Sequence, residues 1–408
     1  MIIADDFTGA LDTGIQFVKS SIKTDVYADC GTMDLKSSDA DVLIVNSDSR
    51  HSAPEDAYAA VRKIVKAGRD AGVNFFYKKT DSALRGNVGS ELQAVMDETG
   101  MNYMQFVPAL PYMNRTTSGG IHYIDGVPVG ESEFSRDKYS PVTKSRVKDI
   151  LSEQTDAPVH VHSERRAGSG AGIHIYDAET EEDLVAIAGS LKESGAFNLI
   201  AGCSGMAAAV PDMLDLKGSI HNEIKLMPGL LVVCGSTNLV TRRQIAYAES
   251  SGFMHLNLSP DQTLTPDWVK SIDEEEFARC CISDFAKGGR VIIDSNDALE
   301  GATEAYAKEH CLGQEDIRRG ISNCLGTILR DMLDEGLKAT MLLTGGDTLL
   351  AFMKQIGESQ LTPIRELSAG VVLSKVNYKG TDYPVISKSG GFGQESLLTE
   401  LADTTLLI

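Results

Sequence analysis

Two adjacent carboxylates, Asp5 and Asp6, close a short apolar run, Met1–Ala4, and precede Thr8, Gly9, Asp12 and Gly14. Acids at the exit of a buried strand are costly unless a ligand, a metal or a base role compensates them. A second group of charged residues, Lys79, Asp81 and Arg85, follows another apolar run that ends near Lys78. The planar guanidinium of Arg85 can fork onto a substrate carboxylate. Arg115, downstream of Pro108-Ala109-Leu110-Pro111, is a second candidate for that task. A carboxylate that orients or deprotonates an attacking hydroxyl is then to be sought in Asp6 or Asp81, and residue type alone does not separate them.

The other end of the chain offers the opposite chemistry. Thr344-Gly345-Gly346-Asp347-Thr348 and Lys388-Ser389-Gly390-Gly391-Phe392-Gly393 each lie between a strand-like run and a helix-like run, and Cys234-Gly235-Ser236-Thr237 follows a third strand. Glycines at such turns let backbone amides approach a ligand, and the helix behind adds positive potential, so phosphate is the natural occupant. The usual nucleotide fingerprints are absent. The nearest approach to a P-loop, Gly9–Gly14, continues with Ile15 and Gln16 where Lys and Ser or Thr are needed. Gly168–Gly172 joins two strands with no helix behind it, which defeats a dinucleotide fingerprint. Ala201–Met206 is a further candidate anion turn. His160 and His162 share one face of a strand, but no Cys, Asp or Glu at ligand spacing completes a metal set, so a structural role is expected. No metal ligands are assigned. Cys203, Cys280 and Cys281 read as packing residues.

Strand-like and helix-like runs alternate along nearly the whole chain. Strands are expected at Thr24–Ala28, Val42–Asn46, Val73–Lys78, Tyr103–Val107, Val159–Val161 and Leu199–Ala201, with helices at Pro54–Gly68, Gly89–Asp97 and Thr180–Lys192. A hairpin turning at Asp125-Gly126 is expected over Ile121–Val129. The polar stretch Asp215–Gly229 is the expected boundary, giving an N-terminal domain over 1–220 and a C-terminal domain over 228–408. In the second domain strands are expected at Leu230–Cys234, Phe253–Leu258, Arg290–Asp294 and Met341–Leu343, then a strand-rich end around Gly370–Val376 and Tyr383–Ile386. The alternation predicts an α/β protein of two doubly wound domains with an active-site cleft between them. The acidic run Asp273–Glu276 reads as a solvated helix start.

At 408 residues the chain is long enough for two or three domains, and 42% hydrophobic content supports sizeable cores. A net charge of −20 argues against nucleic acid or an anionic membrane as the main partner. Seven cysteines, Cys30 among them, occur in odd number with no Cys-x-x-Cys, which favours a reduced, cytoplasmic setting. No export leader and no membrane-length apolar run are apparent. The hairpin is a candidate surface for homo-oligomer contact.

Taken together, Ile3–Ala10, Lys79–Asn87, Pro108–Arg115, Gly126–Val129 with Glu133-Phe134, Gly202–Met206, Thr344–Thr348 and Lys388–Gly393 resemble the four-carbon acid sugar kinase family across nearly the whole chain. The first helix, Asp12–Phe17, resembles the D-threonate and D-erythronate kinases more than the 3-oxo-tetronate kinases. The resemblance implies an N-terminal domain that binds an acid sugar and a C-terminal domain that binds ATP with Mg2+. It also implies phosphoryl transfer to the terminal hydroxyl of a tetronate. By position it implies that Ser236, Gly345, Gly346, Asp347, Thr348, Gly390 and Gly391 contact the nucleotide. Asp5, Asp6, Lys79, Asp81, Arg85 and Arg115 then form the sugar-acid side. Against this stand a two-domain small-acid binding protein without catalysis and a nicotinamide-dependent oxidoreductase. The phosphate-type turns count against the first, and the missing Gly-x-Gly-x-x-Gly counts against the second.

Overall fold

Strands built almost wholly of apolar residues need cover on both faces, and helices between them supply it. The computed structural model describes residues 1–29, 31, 38–219, 222–265, 268 and 274–406, with backbone alone at 274–277. Cys30 and Asp273 lie outside the described residues, as do the side chains of Glu274–Glu276. The chain divides into two units, Met1–His221 and Asn222–Ile408.

In the first unit the strands are β1 (Ile2–Ala4), β2 (Thr24–Tyr27), β3 (Val42–Asn46), β4 (Phe76–Lys79) and β5 (Tyr103–Val107). After a small separate sheet of β6 (Arg115–Ser118), β7 (Ile121–Ile124) and β8 (Val127–Pro128) come β9 (Val159–His162), β10 (Gly172–Tyr176) and β11 (Leu199–Gly202). The main sheet runs β2-β3-β1-β4-β11-β5-β10-β9 and is parallel throughout. From β1 the chain winds to one side, then crosses back to β4 on the other. The strand order therefore reverses between β1 and β4, where an open α/β sheet leaves a crevice. The register sets Asn46, Ala4, Lys79 and Gly202 side by side, so the segments after all four strands emerge together. Ile3, Val45, Phe106, Ile173 and Leu199 sit in the core beneath, packed with Val61, Ile64 and Leu92 from the helices Pro54–Asp70 and Val88–Thr99.

The second unit holds β12 (Leu230–Cys234), β13 (Met254–Asn257), β14 (Arg290–Asp294), β15 (Thr340–Thr344), β16 (Gln360–Ser368), β17 (Val371–Tyr378) and β18 (Thr381–Lys388), in the order β13-β14-β12-β15-β18-β17-β16. Its first five strands in that order are parallel, and the reversal falls between β12 and β15. The register aligns Asn257, Asp294, Cys234, Thr344 and Lys388 at one edge.

The α/β architecture is as expected, with local differences that have physical causes. The second sheet is not doubly wound throughout, because β16, β17 and β18 form an antiparallel meander. Its tight turn, Lys379-Gly380, has positive φ at both residues (49° and 78°), the geometry that suits a two-residue hairpin. β16 escapes detection in the sequence because Pro363 interrupts it, beside an irregularity in its pairing with β17. β4 begins at Phe76, later than the apolar run suggests, because Val73 closes the preceding helix by donating to the Gly68 carbonyl (3.0 Å). The expected hairpin turns at Asp125-Gly126 but is the second half of a three-stranded sheet.

Candidate functional site

In the first unit β1 delivers Asp5 and Asp6 to the reversal point, and Asp6 caps the helix Phe7–Val18. Its Oδ1 accepts from the Gly9 amide (3.1 Å), and its Oδ2 accepts from the Thr8 hydroxyl (2.6 Å). Gly9 has no room for a side chain, since a Cβ would fall against Asp6 Oδ1 and 2.8 Å from Lys79 Nζ. β4 delivers Lys79 and, just beyond it, Asp81. Lys79 Nζ donates to its neighbour's carbonyl at Thr80 (2.7 Å) and lies 3.8 Å from Asp5 Oδ1. That oxygen is buried and has no hydrogen-bond partner among the described residues.

The residue that ties these acids together is Arg50, which sequence reasoning missed. It leaves β3 through Ser47-Asp48-Ser49. Its Nε donates to Asp5 Oδ2 (2.6 Å), its Nη2 donates to Asp6 Oδ1 (2.6 Å), and the same nitrogen lies 3.4 Å from Asp81 Oδ1. Its position at the carboxyl end of a predicted strand was the available signal. Behind this layer is a second unforeseen pair. Lys78 Nζ and Glu91 Oε2 lie 2.9 Å apart, both fully buried, and Ser49 donates a hydroxyl to the same Glu91.

Asp81 is the most heavily satisfied of the three site acids. Arg85 forks onto it with two bonds of 2.9 Å, and the Ala83 and Arg85 amides add bonds of 3.1 and 3.3 Å. Burial raises its affinity for a proton, but the Arg85 and Arg50 guanidinia outweigh burial and hold it well below the usual carboxylate range. Burial likewise works against ionised Asp5, and Arg50, Lys79 and Lys78 again prevail, lowering it. For Glu91 burial prevails over Lys78, with Asp5 adding to the upward push.

The residues leave two readings open for Arg85, a fork onto a substrate carboxylate or a pair with an aspartate, and the structure shows Arg85 in the pair. Its fork is filled by Asp81, and its remaining nitrogen Nη1 donates to Asp137 (3.1 Å). Arg115 differs. It donates to the Ser82 hydroxyl and has no carboxylate partner among the described residues. Both guanidinia lie over the ring of Phe134, at 5.1 Å for Arg85 and 5.3 Å for Arg115. The sequence-picked residues Asp5, Asp6, Lys79, Asp81, Arg85 and Arg115 thus form one connected group. His160 and His162 do not join it. They line a separate edge with His174, where His162 Nε2 and His174 Nδ1 lie 2.9 Å apart. The candidate turn at Ala201–Met206 leads into a helix of only four residues, Ser204–Ala207.

In the second unit the three glycine turns interlock. The Gly235 amide donates to Thr344 O and the Gly345 amide to Lys388 O, both at 3.3 Å. A Cβ on Gly390 would stand 2.6 Å from Ser236 Oγ, and one on Gly235 would overlap Thr348 Oγ1. The helix Gly346–Ile356 starts from Gly345 (φ 99°) with no side-chain cap, so its first amides are left as unfilled donors. Ser236, Gly345, Gly346, Thr348, Gly390 and Gly391 therefore surround one patch of backbone donors. Asp347 sits on its rim, 36% exposed, in an ion pair with Arg318. Asn296, unforeseen from sequence, steadies the turn after β12 by donating to Ser236 O (3.1 Å).

A model of a sugar-binding N-terminal domain matches residues 1–210, and a model of a nucleotide-binding C-terminal domain matches residues 231–398. The chain is 28% identical over 418 residues to a D-threonate kinase of Salmonella typhimurium, spanning 98% of this chain and 96% of that one. It is 26% identical over 445 residues to a D-erythronate kinase of Heliobacterium modesticaldum, spanning 99% and 98%. It is also 26% identical over 422 residues to a 3-oxo-tetronate kinase of Pseudomonas fluorescens, spanning 96% and 93%. Among solved structures, a Haemophilus influenzae protein superposes with a TM-score of 0.71 at 20% identity, covering 99% of both chains. A Salmonella typhimurium protein gives 0.77 at 19% identity, covering 98% of both. At those identities the two structures establish the fold.

Proposed function

The chain belongs to the four-carbon acid sugar kinase family, and on that premise we propose that it transfers the γ-phosphoryl group of ATP to the 4-hydroxyl of D-threonate or D-erythronate. The observation that carries the acid-sugar half is Arg115. Arg50 and Arg85 are neutralised by Asp5, Asp6, Asp81 and Asp137, whereas Arg115 has no carboxylate within ion-pair distance among the described residues. A cation in that position suits a substrate carboxylate. Lys79, 3.8 Å from Asp5 Oδ1, adds a further positive charge to the group, and Arg85 acts by fixing Asp81. The unsatisfied Oδ1 of Asp5 suits a substrate hydroxyl.

Between the two candidate bases, Asp6 is the better fitted. Asp81 has both oxygens taken by cations and amides and resists protonation. The Asp6 side chain is 19% exposed, and its Oδ2 is engaged only by Thr8 among the described residues. In this reading Asp6 accepts the proton as the hydroxyl oxygen bonds to the γ-phosphorus, and the bond to the departing ADP oxygen breaks. Most of the acceleration comes from alignment and from charge stabilisation, with the base contributing less.

ATP enters as its Mg2+ complex, and the uncapped helix start at Gly346 with the turns at Ser236, Gly345, Thr348, Gly390 and Gly391 suits its phosphates. A Mg2+ ion carried on phosphates needs only one or two protein carboxylates, and Asp347 fits that need by its place on the rim of the turn. A cytoplasmic setting follows from the demand for ATP. No helix among the described residues is long and apolar enough to cross a membrane.

The test is a coupled ADP-release assay with D-threonate, D-erythronate, their enantiomers and 3-oxo-tetronates. Turnover with one of the first two is the expected result, and preference for a 3-oxo acid would move the assignment to the 3-oxo-tetronate 4-kinase alternative. Failure to phosphorylate any four-carbon acid sinks the reading and favours a binding protein.

A further inference from the structure

Lys388 ends β18 and is completely buried. Its ammonium donates to the Thr241 hydroxyl and to the carbonyls of Ser389 and Gly390, each at 3.1 Å. No carboxylate within ion-pair distance answers its charge among the described residues, and Cys234 on β12 is the one titratable group that acts on it there. Burial pushes the Cys234 thiol up, so that group stays neutral at physiological pH. A buried ammonium bonded only to neutral oxygens is an unusual expense in a folded chain, because desolvation disfavours the charged form. Every acceptor it uses lies on, or beside, the glycine turn after β18. The helix Leu239–Ser250 grips the same turn from its own side. Thr241 donates to Gly390 O (2.8 Å), and Gln244 donates to Phe392 O and Gln394 O, both at 3.0 Å. The carbonyls of Ser389, Gly390 and Phe392 are thereby engaged. Of the turn's amides, Ser389 donates to Gly370 O (3.0 Å) and Phe392 to Ser389 O (3.2 Å), while those of Gly390 and Gly391 have no acceptor among the described residues.

Resting on the nucleotide-site reading above, we propose that Lys388 is the positioning residue that makes the Ser389–Gly393 turn a phosphate site. Its ammonium pins the carbonyls of the turn and supplies the uncompensated positive charge that a nucleotide phosphate completes. The family-type turn is thus a device analogous in physics to a lysine-backed glycine loop, with the lysine beneath the turn. Burial lowers its own acidity range to about 8, so an arriving phosphate, by favouring the charged form, draws a proton onto it near that pH.

The experiment is isothermal titration of the full chain with Mg·ATP at pH 8 in buffers of different ionisation enthalpy, for wild type, K388M and K388R. Wild type is expected to take up a fraction of a proton, about half, per nucleotide bound. K388M is expected to bind ATP about 30-fold more weakly, the scale of one charge-assisted contact. K388R keeps a charge that does not titrate, so it should bind measurably with no proton uptake. Affinity of K388M within about threefold of wild type, or wild-type binding with no proton uptake, overturns the role of Lys388. If K388M does not fold, the wild-type proton count decides alone. Wild type that binds no ATP at all refutes the nucleotide reading itself, a result separable from either of these.

Discussion

In the first unit the helix Phe7–Val18 begins under a carboxylate, Asp6, whose Oδ1 accepts from the Gly9 amide and whose Oδ2 accepts from the Thr8 hydroxyl. In the second unit the helix Gly346–Ile356 begins with no side chain over its first turn. Both helices follow a parallel strand beside the point where strand order reverses. The same backbone device carries a carboxylate cap in one unit and no side-chain cap in the other. The filling differs in kind as well. The first unit balances Asp5, Asp6 and Asp81 against Arg50, Arg85 and Lys79, a fixed array of side-chain charges that suits hydroxyl and carboxylate recognition. The second relies on backbone donors set by glycines, with one buried cation, Lys388, and little side-chain charge. A parallel sheet edge does not choose its ligand; the residue at the helix cap and the charge beneath the turn do.

The comparison breaks first at Asp6. D6N keeps the cap geometry but removes the proton acceptor, and kcat should fall about 1,000-fold, within the usual range for a general base. Mg·ATP affinity, set in the other unit, should stay unchanged by calorimetry. A kcat within about fivefold of wild type would return the base role to another group.

Arg50 tests whether the first unit's charges are a balanced set. R50L leaves buried Asp5 and partly exposed Asp6 without their main partner, and breaking a buried pair typically costs about 3–5 kcal/mol. The pH dependence carries a sign. Asp5 and Asp81 have folded values depressed below their unfolded ones, so their stabilisation is present above about pH 4 and is lost as pH falls through the folded values. Wild type should therefore lose stability on acidification below that point. In R50L Asp5 loses its largest lowering partner while Arg85 still holds Asp81 down, so the acid loss should shrink without vanishing. Chemical denaturation at pH 7 and at about pH 3 reads both effects, and equal acid sensitivity in the two proteins would mean that Arg50 is not the hub.

Much of this arrangement was visible in the residues, and the rest was hidden for a definite reason. Asp5-Asp6, the Lys79–Arg85 run and the glycine turns each announce themselves locally, by charge at a strand exit or by small residues before a helix. Arg50 does not. Its partners lie about 44 residues away in sequence, and parallel pairing leaves no local trace of which strand ends meet. Glu91 looked like an ordinary polar position on a helix, and only the packing of Lys78 behind β4 shows it buried. Arg85 reads as a fork onto a substrate carboxylate with an Asp–Arg pair as the alternative, and only the structure shows Asp81, four residues before it, taking both arms of the fork. Thr241 and Gln244 were likewise hidden on a helix whose contact with the turn after β18 spans nearly 150 residues.

Arg115 sharpens the comparison at the level of substrate binding. R115M removes the site guanidinium that has no ion-paired acid among the described residues, at a cost of about 2 kcal/mol for a charge-assisted bond. The KM for the sugar acid should rise about 30-fold. The KM for ATP should hold, and kcat should change much less than the KM for the acid. Esters or amides of the same acid, which lack the carboxylate, should lose the discrimination between wild type and R115M. An equal loss on acid and amide would show that Arg115 serves the fold and not the carboxylate.

The smallest effect is expected at Phe134, and it is the most informative about how the free guanidinium is held. Its ring faces both Arg85 and Arg115, but only Arg85 has carboxylates to fix it in place. Cation–π contacts of this kind are worth about 0.5–1 kcal/mol each. In F134L, Arg85 should stay where Asp81 and Asp137 hold it, and Arg115 should lose a restraint that only the Ser82 hydroxyl replaces. The KM for the acid should then rise about threefold, F134Y should restore it, and the acid sensitivity that reports the Arg50 and Arg85 network should not move. A rise in F134L as large as that in R115M would mean that the ring itself forms part of the acid-binding surface. No rise at all would mean that Ser82 suffices to aim Arg115.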